Sequence, residues 1–203
     1  MHRRTAWLRD EGYLVLLDEL LGSGAHTVQA NYQFAAGLLE PDGPAAVLFN
    51  RRFELAWACT GDVNPVLMSG GADPRGGWIA QSLGVREAAP RLGLEFKYSG
   101  AYAALLTIVA DRQRGAGIGR RVTTDRSGEA LTACVRGRTS EDVLIAGRQP
   151  HERFLIDTDA PLAVLRMRDG AAIDEARVGG SYARLRNAAA ADSQMHAGTQ
   201  GRR

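Results

Sequence analysis

Lysine is almost missing from this chain: Lys97 stands alone beside 24 arginines. These nearly balance 23 acidic residues, leaving a formal net charge of +2. That balance excludes the concentrated basic patch of a dedicated nucleic-acid binder. Cysteine is scarce too. Cys59 and Cys134 lie far apart, with no CxxC and no zinc-ligand spacing. They fit either a disulfide in an oxidising compartment or two small buried apolar residues. No apolar run approaches the roughly 18 residues needed to span a membrane. Arg9, Asp10 and Glu11 interrupt the stretch after the basic Met1-His2-Arg3-Arg4, so no signal peptide is read. A chain starting at Met1 is then expected in the cytoplasm. No GxSxG is present. Gly115-Ala116-Gly117-Ile118-Gly119 lacks the GxGxxG spacing and the parallel βαβ unit of a dinucleotide loop.

What the chain does have is a period of two. Phe53, Leu55, Trp57 and Cys59 alternate with Glu54, Ala56, Ala58 and Thr60. His26, Val28, Ala30, Tyr32 and Phe34 alternate with the polar Thr27, Gln29, Asn31 and Gln33, as in an antiparallel sheet with one wet face. Tyr13–Leu17 and 101–110 are apolar on both faces, which predicts central strands covered on both sides. Asp10-Glu11-Gly12, Gly22-Ser23-Gly24 and Asp169-Gly170 supply turns, the last a hairpin between Leu162–Met167 and 171–176. The expected fold class is all-β, an antiparallel β-sandwich of many strands over residues 1–186. Gly61 to Gly77 and Arg112 to Gly128 read as long loops, which on a β-scaffold often carry function. Residues 187–203, poor in large apolar side chains, read as a disordered tail.

Chemistry-bearing residues are few. The arginine excess follows from GC-rich coding, or it lines a groove for carboxylate or sulfate groups, which a guanidinium grips with two hydrogen bonds. Of the histidines at 2, 26, 151 and 196, His2 and His26 open the first and third strands. Side by side, those strands would bring both to one sheet end, as ligands or as hydrogen-bonded structural groups. Asp18 and Glu19 are adjacent in a strand, so they point to opposite faces and cannot serve one glycosidic bond. Trp57 belongs to the apolar face. Trp78, after Gly76-Gly77, either stacks on a sugar ring or plugs the end of the sandwich.

Several strings, in order, resemble the C-terminal β-domain of the heparinase II/III-like polysaccharide lyases. His2-Arg3-Arg4-Thr5 leading into Tyr13–Leu20 resembles the family's H-R-R entry and its hydrophobic strand ending in Asp. Gly22–Val28 resembles the G-x-G-x-H-x-V strand, and Phe34-Ala35-Ala36-Gly37 its end. Gly77-Trp78-Ile79-Ala80-Gln81-Ser82-Leu83-Gly84 resembles the GWxSxxYG loop, with Ala88-Ala89-Pro90 after it. Thr158–Arg166, Asp169-Gly170 and Gly179-Gly180-Ser181 resemble the last hairpin. The likeness runs from His2 to Arg186. Gln33, Ala36 and Leu83 depart from the family's His, Pro and aromatic residue.

The resemblance implies a carbon–oxygen lyase acting on acidic, uronate-containing polysaccharide by β-elimination. In that family an α/α toroid precedes the β-domain. It supplies the Tyr and the Asn or Glu of the reaction, and a catalytic His and the metal ligands lie upstream of the H-R-R entry. None of those motifs is in this chain. The resemblance therefore implies a chain inactive alone, with no catalytic residue, metal ligand or cofactor of its own. It would work with the toroid in cis or in trans, in a bacterial cell envelope or periplasm. Arg4, His26 and Trp78 remain as candidate glycan contacts. The alternative is a stand-alone, non-catalytic β-sandwich that binds acidic glycan. Should the family's first strands lie before Met1, Arg4–Leu8 is an exposed sheet edge, and such edges invite pairing.

Overall fold

A computed structural model describes residues 1–71, 76–124, 130–147, 156–169 and 171–185. The strands, in chain order, are β1 (His2–Arg9), β2 (Tyr13–Leu21), β3 (Ala25–Gln33), β4 (Leu39–Pro41), β5 (Ala46–Phe49), β6 (Phe53–Cys59), β7 (Val63–Ser69), β8 (Trp78–Ser82) and β9 (Val85–Ala88). There follow β10 (Pro90–Ser99), β11 (Tyr102–Asp111), β12 (Gly117–Thr124), β13 (Ala130–Arg136), β14 (Glu141–Gly147), β15 (Ile156–Thr158), β16 (Leu162–Arg168), β17 (Ala171–Val178) and β18 (Ala183–Leu185). Among the described residues there is no α-helix, only one 3-10 turn at Arg112–Arg114. No helix there is long and apolar enough to cross a membrane.

The sandwich has a middle layer. A six-stranded antiparallel sheet, ordered β1-β2-β11-β6-β5-β4, lies between a three-stranded sheet, β3-β10-β7, and a five-stranded sheet, β12-β13-β14-β16-β17. Period-two alternation explains why this works. Leu55, Trp57, Cys59, Ala103 and Leu105 face the three-stranded sheet and pack on Leu92, Leu94 and Phe96. Their neighbours Ala56, Ala58, Ala104, Leu106 and Ile108 face the five-stranded sheet and pack with Leu131, Leu144, Leu162 and Val164. Tyr13–Leu17 and 101–110, expected to be central, belong to β2 and β11, which neighbour each other inside the middle sheet. A small pair, β15 and β18, closes the outer face of the five-stranded sheet around Ile145, Ile156 and Leu165.

The turns fall where the sequence puts them. Gly12 adopts φ 90° between β1 and β2, and Asp169 adopts φ 51° between β16 and β17. Three expectations need correction. The Gly61–Gly77 segment contains β7, which pairs with β10. Its Pro65 is compatible because β7 is an edge strand, where a missing N–H breaks no ladder. The Arg112–Gly128 segment contains the 3-10 turn, capped by Asp111 accepting from Gln113 N at 3.0 Å, and then β12. Gly-rich strands carry no alternation, so only tertiary pairing reveals them. Finally, β1 and β3 are not side by side; they belong to different sheets. The expected tail at 187–203, His151, His196 and Gly170 lie outside the described residues.

Candidate functional site at the open edge of the central sheet

Strand β1 is the edge of the central sheet, and its register against β2 sets two basic residues opposite two acids. Arg4 faces Asp18 and Arg3 faces Glu19. Arg4 Nε and Nη2 donate to the two Asp18 oxygens at 2.7 and 2.9 Å. His2 Nε2 lies 2.8 Å from Asp18 Oδ1. On the other face Arg3 Nε and Nη2 donate to Glu19 at 2.7 and 2.8 Å. The acids are buried, at 5% and 2% exposure. The His2, Arg3 and Arg4 side chains stay 54%, 51% and 48% exposed. Each pair thus places the anion in the sheet and the cation at its rim. The hydrogen bonds to carboxylate hold both guanidinium groups above their ordinary pKa against a smaller opposing effect of burial.

The face bearing His2, Arg4 and Asp18 is the one that, farther in, is covered by the three-stranded sheet. Tyr32 of β3 marks where that cover begins, its hydroxyl 2.7 Å from Thr107 Oγ1 on β11. Burial pushes the Tyr32 phenol up, with Asp18 adding to the rise and Arg4 opposing it. Among the described residues, Arg4 Nη1 makes no hydrogen bond, so it is open to a ligand on this rim. A rigid guanidinium of this kind can bind a carboxylate. A donor held by a second group needs no further ordering on binding.

The three sequence candidates are not brought together. Arg4 is on the central sheet. His26 opens β3, its Nε2 3.0 Å from Ser23 O and its ring stacked on Tyr98 at 5.0 Å. Trp78 opens the β8–β9 hairpin, with the Arg86 guanidinium 4.3 Å above its ring. His26 pairs with Tyr98 near one end of β10, and the Trp78 hairpin joins β10 at the other. Those ten residues of β10 span about 30 Å at ~3.3 Å per residue, too far for one sugar ring.

Sequence reasoning missed the partners of the H-R-R entry. Yet Arg4 and Asp18 stand equally far from Glu11, as do Arg3 and Glu19, which is the signature of cross-strand pairs in a hairpin. It also missed a second polar cluster. Tyr13 donates to Asp142 at 2.7 Å, and Arg166 Nε and Nη2 donate to the same carboxylate at 2.8 and 3.0 Å. Arg166 also pairs with Glu11. This cluster fastens the central sheet to the five-stranded one. Arg52 and Arg112 pair with Asp111 and Glu54 and tie strand ends within the central sheet. Several arginines are therefore structural ion-pair residues, a role that composition alone did not suggest. Among the described residues, no three His, Cys, Asp or Glu side chains are placed to hold a metal ion. Cys59 and Cys134 are not joined in a disulfide.

The fold class is thus an all-β antiparallel sandwich of stacked sheets. A solved structure described as a heparinase III gene product is similar to this chain, with a TM-score of 0.48 and 18% identity, over 72% of this chain and 24% of that one. The aligned part is about a quarter of that protein's length. No family model matches the chain, and no curated protein matches it.

Proposed function

We propose that this chain is the C-terminal β-sandwich portion of a heparinase II/III-like polysaccharide lyase, and that it grips acidic, uronate-containing polysaccharide without cleaving it alone. The ordered strings from His2 to Arg186 support the family. The observation that carries the grip is Arg4, fixed by buried Asp18 and half exposed beside His2. β-Elimination needs a cation for the carboxylate, a base, and an acid for the leaving oxygen, all in one cleft. The rim offers the cation, with His2 beside it. Tyr32 is occupied with Thr107. On this reading the remaining groups come from an α/α toroid in cis or in trans.

The test is calorimetric titration of the chain with uronate oligosaccharides at low and high salt. Binding is expected at low salt, weakened by salt. Arg4→Lys keeps a cation for Asp18 but loses the planar fork, and is expected to reduce affinity by about tenfold. Absence of low-salt binding by well-folded chain overturns the grip. If the chain alone generates the ultraviolet absorbance of unsaturated uronate, the division of labour is overturned instead.

A further inference from the structure

We infer that the wet outer face of the three-stranded sheet is a second ligand surface, and that it takes an uncharged, hydroxyl-rich glycan chain laid across Gly93. Packing settles which face is which. Val28, Ala30, Leu92, Leu94, Phe96 and Val63 belong to the core between this sheet and the central one. Alternation turns the residues between them outward. Asn31, Gly93 and Val66 then form one outward row across the three strands, and Gln29, Glu95 and Asn64 form the next. The surface lies on a different sheet from the Arg4 rim.

Gly93 carries the inference. It sits in the middle of β10, in unbroken register with both neighbours, so it marks no bulge. Its φ is not among the positive ones, so the backbone does not ask for glycine. A Cβ there would meet Gln29 Nε2 at 3.4 Å, Asn31 Oδ1 at 3.5 Å and Val66 O at 3.7 Å, all ordinary contacts. Space does not ask for glycine either. A glycine inside a strand weakens it, and it recurs where another molecule approaches the backbone closely. Here it keeps the centre of the face low, with the Gln29 and Asn31 amides lying against it. Arg91 fixes that layer, donating from Nε and Nη2 to Asn31 Oδ1 at 3.1 and 2.6 Å.

The chemistry of the two rows selects the occupant. Gln29, Asn31 and Asn64 are carboxamides, which both donate and accept, and Glu95 adds an acceptor. Sugar hydroxyls also donate and accept, so planar groups of this kind match them. A polyanion would meet the Glu95 carboxylate on the middle strand and be repelled. A protein partner needs an apolar centre, whereas the centre here is glycine and Val66 stands on the outer strand. From Thr27 to Gln33 the face runs about 20 Å at ~3.4 Å per residue, room for several sugar rings. No aromatic side chain stands in either row, so hydrogen bonds supply the grip and a Kd of about 1 mM is expected.

Lys97 gives the test its reporter, because it is the one lysine in the chain and it points outward from β10, opposite Thr27. Reductive methylation with carbon-13 formaldehyde keeps its charge and gives a single lysine resonance. Titration with cellohexaose, xylohexaose and mannohexaose should shift that resonance saturably for at least one of them, unaltered by added salt, since the ligand is uncharged. Gly93→Thr should weaken the binding by at least about tenfold while the urea midpoint stays or rises, because a β-branched residue favours a strand. Asn31→Ala, which releases Arg91, should weaken it as well. No saturable shift with any of the three overturns the inference, as does a shift seen only with uronate oligosaccharides. So does a lowered urea midpoint for Gly93→Thr, which would make the glycine a packing residue, or binding that survives both substitutions. Failure of uronate binding at Arg4 would leave all these readings unchanged, because Lys97 reports on the other sheet.

Discussion

Asp159 shows how much one exposed carboxylate can organise. It accepts from Ser181 Oγ and Ser181 N, both at 2.6 Å, and from Tyr182 N at 2.9 Å. These bonds, the Ser181 hydroxyl foremost, hold its pKa at about 2. Because the folded pKa is depressed, the stabilisation is present above the ordinary carboxylate range. It is lost as pH falls from about 3.8 toward 2. Acid unfolding monitored by tryptophan fluorescence should therefore be less steep in that window for Asp159→Asn. Cys59 points the other way. Burial pushes its thiol up to about 11. Alkylation at pH 8, read by mass spectrometry, should modify Cys59 only after denaturant is added, since the thiolate is the reactive form.

At the scale of elements, the β8–β9 hairpin hangs on one backbone position. Gly77 has φ 75°, and a Cβ there would lie 2.5 Å from Gly70 N. Its carbonyl also accepts from Gly70 N and Ala89 N at 2.7 and 2.9 Å. Gly77→Ala should cost about 2 kcal/mol or more, measured by urea denaturation, through positive φ and backbone overlap together. Such positions explain what was legible in the sequence. Strands β2, β3, β6 and β11 were readable because one or both faces are buried and the alternation is undiluted. Strands β7 and β12 were not, because proline and glycine mask any pattern while neighbours still supply their hydrogen bonds. The rim at Arg4 was half legible. Its hairpin symmetry about Glu11 is local, but the Tyr32–Thr107 contact joins residues 75 apart, and no spacing rule reaches that far. His26 and Trp78 failed to converge with each other for the same reason, since their places at opposite ends of β10 are a tertiary fact.

Across the whole molecule, stacking three sheets leaves two apolar seams; Tyr32 and Thr107 hydrogen-bond across one, and buried charge ties the other. On the second seam Asp142, at 3% exposure, binds Tyr13 from the central sheet and Arg166 from the five-stranded sheet. Asp142→Ala should leave Arg166 and the Tyr13 hydroxyl poorly matched and cost about 3 kcal/mol. Tyr13→Phe should cost only about 1 kcal/mol, because the Arg166 fork remains. Hydrogen exchange should show the Asp142→Ala loss concentrated in β14 and β16. Loss spread evenly over all strands would mean that the cluster does not fasten the seam.

The pairing of Asp18 and Glu19 with a neighbouring strand also bears on the order of assembly. Their cations sit 14 to 16 residues away in sequence, across a tight turn. A hairpin of that kind closes in about 1–10 μs, before distant strands can dock. Both acids therefore enter the growing core already matched, and the layers close over neutral pairs instead of bare anions. Strand β1 acts as an early escort for two charges that the finished fold could not admit alone.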